Sequence, residues 1–112
     1  MLKKTFLKTD IEASLAELKT ELRLLYNERL ISVVLYGSYA RDAACEGSDI
    51  DVVVVLKGRV SPGREIDRML DAVNDLNLKY NTLISVYPLS EKSFLTLRSP
   101  LLLNLRREGV HL

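Results

Sequence analysis

Apolar positions along the chain follow two periodicities that take turns. Between Thr9 and about Arg29, Ile11, Leu15, Leu18, Leu22 and Leu25 recur every three or four residues, the spacing that lays a stripe along one helix face. Thr9 with Glu12 forms a capping-box pair, so the helix is expected to open there. The stripe also satisfies a heptad seam, but it is too short for a convincing coiled coil, and packing on a sheet is the preferred reading. Two apolar stretches come next, Leu30-Ile31-Ser32-Val33-Val34-Leu35-Tyr36 and Val52-Val53-Val54-Val55-Leu56, and each reads as a buried strand. Lys57 to Gly63 is a loop by its Gly and Pro content. Ile66, Met69, Leu70, Val73, Leu76 and Tyr80 then predict a second amphipathic helix with Met69 and Tyr80 in the core. Leu83 to Tyr87 is a third strand, halted by Pro88, and Ser90 opens a short helix through Leu97. Ser99-Pro100 starts a last helix that stops at Gly109. The order predicts an α/β fold, a short mixed β-sheet packed by helices, in a single domain over residues 1–112.

Between the first two strands lies the run Gly37-Ser38-Tyr39-Ala40-Arg41-Asp42-Ala43-Ala44-Cys45-Glu46-Gly47-Ser48-Asp49-Ile50-Asp51, where the chain shows its chemistry. The first strand delivers Gly37 and Ser38 at its end, and Asp49 and Asp51 open the second. If the connecting segment folds back as a short helix, the two strand ends meet at one edge of the sheet. Side chains alternate across a strand, so Asp49 and Asp51 point to the same face and can share one hard cation. Mg2+ suits that arrangement, because it is commonly held by one or two carboxylates while substrate phosphates and water complete an octahedral shell. Gly37 lets a phosphate approach the backbone, Ser38 adds a hydroxyl and an N–H, and Arg41 is near enough to meet the same phosphates as a planar cation. A purely structural reading, a turn followed by a solvated strand entrance, leaves the mutual repulsion of two acids at the mouth of an apolar strand unexplained.

The spacing of ten residues between Gly37-Ser38 and Asp49-Ile50-Asp51 resembles the signature of the DNA polymerase beta-like nucleotidyltransferase superfamily, in particular its minimal nucleotidyltransferase branch. Arg41 and Ser48 stand where that branch commonly has Arg and Ser, and Ser99-Pro100-Leu101 through Leu105-Arg106-Arg107-Glu108-Gly109 is similar to its C-terminal segment. The resemblance covers most of the chain from about Leu30. It implies a nucleotidyltransferase fold, with Asp49 and Asp51 as Mg2+ ligands and catalytic acids, Arg41 as a charge stabiliser, and Gly37, Ser38 and Ser48 lining the phosphates of an NTP, most simply ATP. It further implies transfer of AMP to a tyrosine of a small helical HEPN-type toxin, the chain serving as the antitoxin of the pair. Two departures stand out: Asp42 occupies the place of a usual glycine, and Ser85 that of a third carboxylate on the next strand. Serine cannot act as base or carboxylate ligand at neutral pH, so an inactive, protein-binding or nucleotide-sensing antitoxin is the alternative. A scaffold subunit with no ligand is a third reading.

Composition narrows the partners. With 112 residues, 47% of them hydrophobic, the chain can bury one ordinary core. Sixteen basic and 15 acidic residues give a net charge of +1, which offers no electrostatic footprint for nucleic acid. Lys3, Lys4, Lys8, Arg98, Arg106 and Arg107 gather loosely towards the ends and read as solvated faces. Cys45 is the sole cysteine, and no signal-peptide or membrane-spanning stretch is seen, so a cytoplasmic location is expected. Cys45 lacks a histidine partner for nucleophilic chemistry, because the single histidine, His111, is expected to be a frayed surface residue. The length leaves no residues for an acceptor domain, so the acceptor hydroxyl is expected on another molecule, with an oligomer formed by chain and partner.

Overall fold

The computed structural model describes residues 2–37, 49–96 and 99–112. Helix α1 spans Leu2–Tyr26 and passes through a short 3-10 turn, Asn27–Arg29, into strand β1, Leu30–Tyr36. Strand β2 is Ile50–Leu56, helix α2 Pro62–Tyr80, strand β3 Ile84–Ser90, helix α3 Glu91–Thr96, helix α4 Pro100–Glu108 and strand β4 Val110–His111. The four strands form one mixed sheet in the order β3-β2-β1-β4. β2 runs antiparallel to β1 and parallel to β3, so the end of β1 meets the beginnings of β2 and β3.

Alternation along the strands divides the core in two. Val33 and Leu35 of β1, Ile50, Val52, Val54 and Leu56 of β2 and Ile84 of β3 turn to one face, where α1 and α2 cover them with Leu15, Leu18, Leu22, Met69, Val73 and Leu76. Val34, Val53 and Val55 turn to the other and meet Phe94 of α3 and Leu102 and Leu105 of α4. β2 is therefore buried on both sides, which is why its run of four valines shows no polar alternation.

Several expected details shift. α1 begins ahead of the Thr9 capping box, because residues 2–8 contain no glycine or proline to stop it. Its buried stripe includes Ser14, whose hydroxyl donates to the Ile11 carbonyl at 2.8 Å, and Tyr26 in place of Leu25. In α2 the buried stripe is Glu65, Met69, Val73 and Leu76, while Ile66 and Leu70 lie exposed along its rim. Glu65 is tolerated inside because Tyr26 donates its hydroxyl to the carboxylate at 3.0 Å and Arg29 pairs with it at 3.4 Å. Burial first, and then the bond to Glu65, push the Tyr26 phenol up to about 12. Arg29 also donates to the Lys57 and Arg59 carbonyls, at 3.2 and 2.9 Å. This network ties α1, α2 and the β2–α2 loop at the end of the sheet where β1 begins.

β3 continues through Pro88 to Ser90. An outer strand can carry proline, since the missing N–H need not break a ladder. Ser90 then accepts from the Ser93 N–H at 3.1 Å, and Ser99 from the Leu102 N–H at 3.3 Å, as helix-opening serines do. After α4 the chain does not fray. Gly109 donates its N–H to the Leu105 carbonyl at 2.8 Å and hands the chain to β4, where His111 pairs with Val34 and its Nδ1 lies 2.6 Å from the Ser32 hydroxyl.

Candidate active site

Three strand ends converge on Asp51. It is paired in register with Tyr36 of β1 on one side and with Ser85 of β3 on the other, and paired residues share a face. Asp51, Tyr36 and Ser85 thus stand together on the α3/α4 face, at the end of the sheet, with Tyr87 two residues beyond Ser85. Asp49 lies just before β2, exposed.

The flank towards β1 is shaped by Gly37. Its φ is +75°, a left-handed conformation that side chains disfavour. The place its Cβ would take is 2.8 Å from Asp51 Oδ2, so glycine also lets the carboxylate lie against the backbone. The flank towards β3 is set by a separate clamp. The Asn77 side-chain oxygen, near the end of α2, accepts from the Ile84 N–H at 2.8 Å and the Thr82 hydroxyl at 3.1 Å. The Ile50 N–H donates to the Leu83 carbonyl at 2.8 Å. Together these hold the start of β3 beside the start of β2 and fix Ser85 next to Asp51.

Among the described residues, the charge at the site is negative. Burial and the negative charge of Asp49 hold the Asp51 carboxyl above the usual carboxylate range, a cost that a divalent cation between the two would remove. Burial, then the charges of Asp51 and Tyr87, raise the Tyr36 phenol, which places the three groups within electrostatic range. Among the described residues no cluster of three or more His, Cys, Asp or Glu forms a closed metal cage. Two carboxylates with open positions nonetheless fit Mg2+, whose shell nucleotide phosphates and water usually complete. Of the residues picked out by sequence, Gly37, Asp49, Asp51 and Ser85 come together; Ser38, Arg41, Ser48 and Cys45 lie outside the described residues. Tyr36, Tyr87 and Asn77 are additions. Tyr36 was readable as the residue before Gly37, and Tyr87 as sharing the alternation of Ser85. Asn77 left no signal, because its role depends on the path of α2.

The nucleotidyltransferase domain family matches residues 15–100. The chain belongs to that family. Three proteins of Methanocaldococcus jannaschii, each named "Putative protein adenylyltransferase", are similar to this nucleotidyltransferase. One is 35% identical over 83 residues, covering 74% of this chain and 77% of its own length. The others are 41% identical over 63 residues, covering 54% and 42%, and 33% identical over 69 residues, covering 62% and 69%. A solved toxin-antitoxin crystal structure with AMP-PNP superposes with a TM-score of 0.58 at 15% identity, covering 84% of this chain and 68% of that one. At that identity the likeness concerns the fold, and it agrees with the mixed sheet and its helical layers. Among the described residues, no helix is long and apolar enough to cross a membrane.

Proposed function

We propose that this nucleotidyltransferase transfers AMP from ATP to a hydroxyl of a partner protein, with Mg2+, as the antitoxin beside a helical HEPN-type toxin. The observation that supports the reading is the electrostatic coupling of Asp49 to Asp51, with the Gly37 backbone against Asp51. Asp49 and Asp51 would hold the cation, which when bound neutralises phosphate charge and polarises the reacting phosphoryl group. Gly37 admits the triphosphate to the backbone, and Ser38 and Ser48 line it. Arg41 supplies a cation where charge gathers on the leaving pyrophosphate. Residues 1–112 act as one domain in this reading, in the cytoplasm, and the partner presents the acceptor in line with the α-phosphorus. The named adenylyltransferase relatives and the toxin-antitoxin neighbour support it.

Titration calorimetry with ATP tests the core of the proposal. Binding is expected with Mg2+ or Mn2+ and lost in EDTA, and the Asp49→Asn/Asp51→Asn double variant should fold yet bind at least tenfold more weakly. Unchanged affinity in that variant would remove the metal-site assignment. A second reading rests on Ser85, which sits beside Asp51 where a third carboxylate would complete the site: the chain would then bind its partner without modifying it. Intact-mass analysis of the complex with ATP and Mg2+ separates the two, since only the transferase adds AMP to the partner.

A further inference from the structure

Nucleotidyl transfer needs the nucleophile opposite the departing pyrophosphate. With the triphosphate on the Gly37 flank of Asp51, the nucleophile must approach from the β3 flank. There the sheet presents Ser85, paired with Asp51, and then Tyr87, paired with Val53. Strands lie about 4.8 Å apart and rise about 3.3 Å per residue, so the Tyr87 backbone is roughly 8 Å diagonally from that of Asp51. An aromatic side chain standing off the same face can span much of that gap. Ser85 keeps the diagonal clear, because it is small and uncharged where an acid would fill the space and repel phosphate.

From this geometry we propose that Tyr87 is an internal acceptor, and that the chain adenylylates itself on the Tyr87 hydroxyl when ATP and Mg2+ are supplied without a partner. The inference rests on the nucleotidyl-transfer reading above. Tyr87 is 46% exposed, and its hydroxyl has no hydrogen-bond partner among the described residues. Tyr36, the other described phenol at the site, is half-buried against the second core cluster. In the reaction the Tyr87 oxygen forms a bond to the α-phosphorus of ATP. The bond from that phosphorus to the bridging oxygen breaks, pyrophosphate leaves with the electron pair, and the phenolic proton passes to water. The product is O-adenylyl-Tyr87 and needs no other reactant.

The test incubates the full chain alone with ATP and Mg2+, follows intact mass, and maps any adduct by fragmentation. One AMP adduct is expected, on Tyr87, forming with a rate constant that stays the same over a tenfold range of protein concentration. Tyr87→Phe, a surface change whose folding is checked by thermal melting, should lose the adduct, and EDTA should abolish it in the wild type. An adduct mapped to another residue, or a rate that climbs with concentration, overturns the internal-acceptor assignment. So does a wild-type chain that binds Mg2+–ATP in calorimetry and gains no mass. If calorimetry shows no Mg2+-dependent ATP binding, the transfer reading itself fails, and the two failures are thereby distinguished.

Discussion

A methyl group at residue 37 would meet Asp51 Oδ2 and force an L-residue into a left-handed backbone. Gly37→Ala should therefore destabilise the fold by about 1–3 kcal/mol, from a backbone cost of roughly 1–2 kcal/mol and the displaced carboxylate. Denaturant unfolding reads the first effect, and loss of Mg2+–ATP binding the second. Gly37→Asn helps to part them, because asparagine tolerates the left-handed region better yet carries the same Cβ. Across the strand, Ser85→Asp asks whether two carboxylates suffice. In the transferase reading the added charge leaves AMP transfer unchanged or lowers it. A gain on the order of 10²-fold or more, the scale of a restored general base, would instead favour the inactive antitoxin.

At the level of elements, Gly109 shows how a correct expectation can hold for a different reason. Sequence reads it as a helix stop, for which glycine usually supplies a left-handed turn. Its φ is −66°, open to any residue. Glycine is needed here because a Cβ would press into the Leu105 carbonyl and Val34 Cγ1. Gly109→Ala should cost about 1–3 kcal/mol by overpacking and loosen β4, which hydrogen exchange at the β1–β4 pairing would show as faster amide loss. The same contrast marks what could be read beforehand. β1 and β2 were legible because buried strands declare themselves as apolar runs, and the closeness of Asp49 to Asp51 because the two are near neighbours in the chain. Pro88 inside β3, the two-residue β4 and the Asn77 clamp were not legible. Each depends on which strand lies at an edge or which helix end lies over which strand, and that is fixed only once the elements pack.

In the whole molecule, the described residues at the two ends of the sheet differ in electrostatic balance. At one, Glu65 is matched by Tyr26 and Arg29; at the other, Asp51 faces Asp49. Because Asp51 titrates above its ordinary value in the fold, the folded state binds the extra proton, and stability declines as pH rises from about 4 through the raised value. Asp51→Asn should then melt higher than the wild type at neutral pH in EDTA, with the advantage vanishing near pH 3. Saturating Mg2+–ATP should reverse the order, by stabilising only the wild type. A gain that persists unchanged at pH 3 would contradict the electrostatic origin. The layout of the sheet also bears on behaviour in a crowded cell. Val52 to Val55 is the kind of segment that seeds cross-β aggregates when a neighbouring chain can stack upon it. Here it is the inner strand β2, screened by β1 and by β3. The outer β3 carries Pro88, which has no N–H to offer an incoming strand, and the opposite border is the two-residue β4. Both borders are poor templates for runaway pairing, so the most amyloid-prone stretch of the chain is sealed for as long as the fold persists.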